Sequence, residues 1–413
     1  MAKFPFRPPV VIATPPPPEP PAPAVNLEDL LEDEGAEEQF TLRWLYWKAI
    51  LWLLLALGAQ TLAGLMPGYV EAYYSQMFYF HIPRLFSKIN RFVGFSLAEI
   101  FFGLLICWFV FWTLWYIRRV FRGETRFFDL IKVLVLHMVW TGSILFVFFK
   151  VMWGFNYQRM PLAEAVGFDQ RLARSDELQM IANRIVNGVR NNYTASRQRE
   201  EQGELGRRPP DVRELSQAIE LSFKNTRLIG RAAAGEFTPP KPLFASQLTS
   251  IMGIRSFYLP YTGEVSYSAD IPPSELPFAL ARAKAYQRGY AKEDEANFVA
   301  FLVCTTAADP YVRYSGYLHA VKVLELIERS GIGRYRDSIG PGPISDLEAR
   351  KQYWDSMLSQ YAYGATNAVF NAHLRVNRIP QGLQSADGDI QLIIFYYLSN
   401  PGLGVAAENT PAP

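Results

Sequence analysis

The sequence is short of cysteine, histidine and charge. Two cysteines in 413 residues, Cys107 and Cys304, exclude a disulfide scaffold and a multi-cysteine zinc site. Four histidines, His81, His137, His319 and His373, restrict metal chemistry further. Only 19% of residues are charged and the formal net charge is +2; with no basic stripe or recognition motif, nothing points to nucleic acid. P-loop, G-x-G-x-x-G and G-x-S-x-G motifs are missing, which removes the usual sequence basis for nucleotide binding and for Ser-His-Asp hydrolysis. Apolar side chains, by contrast, are abundant: 50% of residues are hydrophobic and 15% aromatic, yet mean hydropathy is +0.01. Such an average joins very greasy segments to polar ones and excludes a wholly disordered chain.

The first 24 residues hold ten prolines and are followed by an acidic run from Glu28 to Glu38. Residues 1–42 therefore read as a solvated, unstructured arm, with recruitment of a proline-binding partner as the alternative. Three apolar runs come next: Ala49–Met66, Ile100–Ile117 and Val133–Phe149, the first two uncharged over 18 residues and the third over 17. A helix of about 20 apolar residues crosses the hydrocarbon layer. Trp44, Trp47, Tyr73, Tyr74, Trp115, Tyr116 and Trp153 crowd the borders of these runs, as interfacial aromatics do. The spacing predicts an integral membrane protein with a three-helix region over 43–157. Arg118, Arg119, Arg122, Arg126 and Lys132 lie between the second and third spans, against Arg84, Lys88 and Arg91 between the first and second. The positive-inside rule then puts the N-terminus in the cytoplasm and residues 158–400 outside it, with 401–413 as a loose tail.

After Gln158 the hydrophobic runs shorten and helical spacing takes over. Leu178, Ile181, Ile185 and Val189 share one helix face, as do Val212, Leu215, Ile219 and Phe223; the charged stretch 197–210 between them reads as a connector. Further helices are predicted at Leu276–Arg288, Glu293–Ala307, Tyr317–Arg329, Ile344–Val376 with breaks, and Ile390–Leu398. Ser256–Leu259 and Glu264–Ser268 carry the best strand signals, around the turn-like Tyr261-Thr262-Gly263. The expected fold class is mainly α: three N-terminal transmembrane helices, then a mostly helical α+β domain with a small sheet or hairpin.

The densest unusual groupings are WGFNYQRMPL (Trp153–Leu162), GIRSFYLPYTGE (Gly253–Glu264), QRGYAKEDEANF (Gln287–Phe298) and DPYVRYSGYL (Asp309–Leu318). On these segments, from the spans to near Tyr397, the chain resembles a family of uncharacterised bacterial membrane proteins with three spans and an extracytoplasmic zincin-like domain. That resemblance implies a zinc-binding HExxH helix just before Gln287-Arg288-Gly289, and an ExxAN motif supplying a carboxylate ligand. In HExxH two histidines four residues apart clamp zinc and the Glu activates bound water. Here the histidine slots hold Arg282 and Tyr286 and the glutamate slot holds Ala283, with Lys284 beside them. Arginine offers no lone pair, tyrosine ligates only as phenolate, and alanine is no base. Glu293, Glu295 and Asn297 remain as a vestigial site. The resemblance therefore implies a pseudo-metallopeptidase with no catalytic residue and no metal or other cofactor; zinc returns only in the alternative of a peptidase with unorthodox ligands such as Glu293 with His319 or His373.

Two arrangements stay open for the substituted slots: Arg282 pairing with Glu293 or Glu295, or Arg282 and Lys284 on a solvated helix face. Phe257, Tyr258, Tyr261 and Glu264 are candidates for a peptide-binding groove, with packing of a small sheet as the other reading. Glu99 and His137 draw attention as ionisable residues inside spans, for which hydrogen bonding within the bundle is the plain expectation. His319 and His373 read as single packed or surface histidines, and Cys304 as core. The expected partners are the lipid bilayer and a peptide or protein at the outer domain, in a bacterial plasma membrane. The functional expectation is a non-catalytic binding or assembly module; a structural envelope protein recruiting a partner through its proline-rich arm is a third reading.

Overall fold

The computed structural model describes residues 27–124, 126–201, 211–226, 228–230, 235 and 237–402, and within these ranges the side chains of 44–197 and of 211 onward. The proline-rich arm, most of the 197–210 connector and the tail from 403 lie outside the described residues. The chain divides into two compact units, Met1–Lys48 and Ala49–Pro413.

Helix α1 (Leu27–Leu65) carries the first apolar stretch, Trp44–Leu65. Its backbone begins at Leu27 and runs through the acidic segment, part of the arm read above as unstructured. Extending an existing helix costs far less than nucleating one, so the apolar span suffices to carry it. A turn α2 (Pro67–Tyr69), a π-helical stretch Val70–Phe78, one 3-10 turn and helix α3 (Ile82–Asn90) bring the chain to helices α4 (Leu97–Phe121) and α5 (Phe127–Met152). Among the described residues three helices are long and apolar enough to cross a membrane, and the protein is an integral membrane protein. Ser96 caps α4 by accepting the Glu99 N–H at 3.4 Å, and Arg118 and Arg119 complement the dipole in its last turn.

The remaining elements are α6 (Leu162–Val166), α7 (Ser175–Glu201), α8 (Val212–Asn225), β1 (Lys241–Pro242), α9 (Ser246–Ile251), β2 (Ser256–Leu259), β3 (Glu264–Tyr267), α10 (Leu276–Gln287), α11 (Glu293–Thr305), α12 (Pro310–His319), α13 (Val321–Arg329), α14 (Pro341–Met357), α15 (Gln360–Val376) and α16 (Gly388–Ser399). The fold is mainly α with a small sheet, as the sequence predicts. The hairpin expected from Ser256 to Ser268 forms, with Ser256 opposite Tyr267 and Leu259 opposite Glu264; β1 adds a parallel edge to β3. The connector starts later than predicted, because α7 continues to Glu201. The helix predicted over Tyr317–Arg329 is two: Asp309 accepts from the Tyr311 and Val312 N–H groups and Pro310 opens α12, which ends before Ala320.

Helices α10 and α11 form the centre of the core. Leu280, Ala281, Phe298, Phe301 and Val303 are buried there, flanked by Ile181, Ile185 and Val189 of α7 and Ile219 and Phe223 of α8. Gly188 lets the Tyr317 ring lie directly on α7; any Cβ would enter that ring.

The core reaches into the ends of the spans. Tyr261, at the hairpin tip, stacks on Phe101 of α4 (4.8 Å) and Phe148 of α5 (5.8 Å) and donates to the Leu145 carbonyl at 3.0 Å. Lys150 of α5 donates to Asn377 Oδ1 at 2.5 Å, and Gln60 of α1 to the Val376 carbonyl at 2.7 Å. Tyr79, from the stretch between the first two spans, donates to the Gln287 carbonyl at 2.8 Å, at the end of α10. These ties hold the domain against the ends of the spans.

Candidate functional site

Pro277 sits in the first turn of α10, where a missing N–H costs nothing, and Gly289 at φ 86° ends the helix. Glu293, Asp294 and Glu295 occupy the first turn of α11, facing its positive dipole end. Arg282 and Tyr286, four residues apart, share one face of α10. The charges nearest Arg282 are those of Glu293, Glu275 and Asp389, with Tyr286 adjacent; although burial pulls the other way, they hold the guanidinium above its ordinary pKa. Arg282 is permanently cationic here.

Tyr286 is buried, and burial first, then Glu293, push its phenol far above 10. Its hydroxyl lies near Glu293 but makes no hydrogen bond of good geometry, and Arg282 Nε is likewise unpartnered. The Tyr286 carbonyl accepts from Trp153 Nε1 at 2.9 Å, which fixes the helix end against the chain leaving the third span. Ala283 is fully buried.

Neither sequence expectation for the two cations describes them fully. Lys284 is not on a solvated face: it is fully buried and pairs with Glu220 of α8 at 2.6 Å, and Arg288 pairs with the same carboxylate at 2.7 Å. Glu220 lies 64 residues before Lys284 and 68 before Arg288, so no spacing rule links it to α10; only the fold does. Arg282 makes no hydrogen bond or ion pair with Glu293 or Glu295 among the described residues and meets Glu293 only through its field. Glu295 points elsewhere, accepting from the Leu162 N–H at 2.9 Å and from Lys292 at 3.2 Å. Asn297 donates weakly to the Ala386 carbonyl (3.5 Å), and its Oδ1 is unpartnered.

The two histidines of the domain come to opposite ends of this cluster. His319 stacks on Phe278 with ring centroids 3.8 Å apart and donates from Nε2 to Asp389 at 2.8 Å; Lys322 contacts the same carboxylate at 2.6 Å. Burial and the Lys322 charge push His319 down to about 4. His373 meets the Tyr157 hydroxyl at 3.2 Å, and burial followed by the Lys150 charge push it down to about 4. Both are neutral at pH 7, and each uses Nε2 in a protein contact. Asp389, Lys322, Glu275, Tyr157 and Glu220 were not singled out in the sequence, because each joins the site only through long-range packing.

The proposed groove residues meet the spans. Tyr258 is buried between Tyr79 and Trp153, Tyr261 inserts between α4 and α5, and Phe257 is half-buried. Glu264 is buried, pairs with Lys241 at 2.8 Å, and accepts from Ser96 Oγ (2.8 Å) and the Leu97 N–H (3.0 Å), so it caps the second span from outside. Glu99 likewise bonds outside the bundle, accepting the N–H groups of Phe244 (3.0 Å) and Ala245 (2.8 Å). His137 bonds the Val133 carbonyl of its own helix at 2.8 Å among the rings of Trp108, Trp112 and Tyr116. Cys304 is buried and its thiol is pushed up by burial; Cys107 is exposed on the second span.

A zinc ion needs lone pairs converging from deprotonated ligands. At the positions matched to the zinc motif stand a guanidinium, a neutral phenol and the Glu293 carboxylate, while the nearby Glu275 and Asp389 carboxylates are paired with Arg255 and with His319 and Lys322; this set does not fit zinc. Among the described residues no group of three or more His, Cys, Asp or Glu side chains could hold a metal. Neither a curated protein nor a solved structure matches the chain. A family profile does match, over residues 74–394, from the stretch between the first two spans to α16. The chain belongs to the family described as "Protein of unknown function (DUF3810)".

Proposed function

We propose that this membrane protein presents, on the extracytoplasmic side, a zincin-like domain that has lost zinc binding and peptidase activity and serves as a binding or assembly module of the bacterial cell envelope. The observation that carries the reading is the meeting of Arg282, Tyr286 and Glu293. These are the positions that the family resemblance assigns to two imidazoles and a carboxylate ligand, and they gather on facing turns of α10 and α11. A fixed cation stands where an electrophilic metal would stand, and a protonated phenol replaces the second ligand. Ala283 leaves no group to take a proton from water. With chemistry gone, the domain's remaining capacity is contact with a peptide or protein.

The sidedness follows from the charge between the second and third spans, where Arg118, Arg119, Arg122, Arg126 and Lys132 outnumber the cations of the preceding loop. The test is hydrolysis of an unstructured protein substrate by the purified full chain, with and without EDTA. No cleavage above background is expected in either case; cleavage that EDTA abolishes favours a metallopeptidase with unorthodox ligands and overturns the proposal.

A further inference from the structure

We infer that helix α3 and the cavity beside it form a binding site for the phosphate headgroup of an anionic phospholipid. The cavity has a volume of about 740 Å3, and among the described residues its wall carries Arg84, Lys88 and Arg91 with the apolar Phe78, Ile82 and Leu85, and no carboxylate. That volume lies within the ordinary range for a small-molecule site. Arg84, Lys88 and Arg91, spaced to share one helix face, beside the apolar Phe78, Ile82 and Leu85 match an ester-linked phosphate and the glycerol and first methylenes attached to it. Lys88 and Arg91 are exposed, whereas Arg84 is partly buried with its guanidinium over the Phe80 ring. Burial and the neighbouring Arg288 lower the pKa of Arg84, as expected where positive charge accumulates.

The fold puts this site at the level of the headgroups. Asn90, at the end of α3, donates to the Thr262 carbonyl at 2.8 Å, next to Tyr261, whose ring is seated between the second and third spans. The Phe86 side chain lies where a Cβ on Gly263 would be. Five residues beyond Arg91, Ser96 caps the second span. Along α3 and after it, Leu85, Ile89, Phe92 and Phe95 are exposed, Phe92 to 88%. An apolar edge beside basic side chains is the pattern of a helix lying in the membrane interface. The occupant is thus a lipid already in the bilayer, rather than a solute: the apolar edge gives a free phosphate nothing to bind, and the span ends bring lipid alongside.

Native mass spectrometry of the detergent-solubilised full chain, titrated with phosphatidylglycerol or phosphatidylcholine, tests this. One phosphatidylglycerol should be retained in preference to phosphatidylcholine. Each cation removed near a membrane surface weakens anionic-lipid binding about fivefold, so Lys88→Gln with Arg91→Gln should lose about 25-fold. The charge-keeping Lys88→Arg with Arg91→Lys, and the remote Lys351→Gln, should retain it. Equal binding of the two lipids, or undiminished binding by the double glutamine variant at an unchanged melting temperature, overturns the inference. If inorganic phosphate competes as well as phosphatidylglycerol, the site is one for phosphate alone, and the lipid assignment fails. A double glutamine variant with a lowered melting temperature is replaced by Lys88→Gln alone, for which the fivefold loss decides.

Discussion

At the scale of single residues, the buried Lys284–Glu220–Arg288 cluster is the most exposed to perturbation. One carboxylate serves two buried cations. Glu220→Gln would leave both uncompensated in a low-dielectric interior, so a loss of about 3–5 kcal/mol is expected, read as a marked fall in melting temperature with the fold otherwise retained in wild-type controls. Lys284→Met should cost less, because Glu220 keeps Arg288. Of these charges, Lys284 and Arg288 are visible in the sequence near the resembling motif; their partner is not, since α8 approaches α10 only in three dimensions. The Arg282 slot shows a similar limit. Sequence alone identifies the substitution, but whether Arg282 seeks a carboxylate or solvent depends on neighbours from α10, α11 and α16 that no spacing brings together. It does neither fully: burial and three surrounding carboxylates hold it in a field without a direct pair.

At the scale of elements, the hairpin tip binds the domain to the spans. Tyr261→Ala removes a ring sandwiched by Phe101 and Phe148 together with its bond to Leu145, and is expected to cost about 3 kcal/mol, seen as faster limited proteolysis between the spans and the hairpin; an unchanged digestion rate would count against a tight tie. Long apolar runs made the three spans legible, and Pro277, Gly289 and the acidic start of α11 marked the two central helices. The strands β2 and β3 were legible from the aromatic-containing segments on either side of the turn-like Tyr261-Thr262-Gly263. Strand β1 was not, because two residues, Lys241 and Pro242, carry no period and gain their identity from β3. The helical turns between the first two spans, over 67–90, were not predicted; they are short, π-helical in part, and stabilised by bonds such as Arg159 to Glu71 at 2.7 Å, which join distant segments. The start of α12 could have been found, since Asp309-Pro310 is a cap followed by a proline at the first helical position; the break before Val321 carries no such signal, because Ala320 offers no capping side chain.

At the scale of the molecule, two partly buried neutral histidines make the fold sensitive to acid. His319 and His373 titrate near 4 when folded, against 6.5 when free, so below pH 6.5 the unfolded chain takes up more protons. Their contribution, about 3 kcal/mol each, is complete above pH 6.5 and is lost as pH falls towards 4. Asp294, pushed up to about 6 by burial and Glu295, acts in the opposite sense between its free value of 3.8 and that pH, and offsets part of the loss. Melting temperature should therefore fall from pH 7 to pH 4.5, and His319→Gln should flatten the dependence. A phosphatase joined after residue 400 should be active only outside the cytoplasm, which checks the sidedness argued from the basic loop. The metal question is decided by zinc content per chain, determined side by side for the purified wild type and for Arg282→His/Ala283→Glu/Tyr286→His. Close to zero in the wild type and about one in the triple variant is expected; one tightly held zinc in the wild-type protein would contradict the loss of metal at α10.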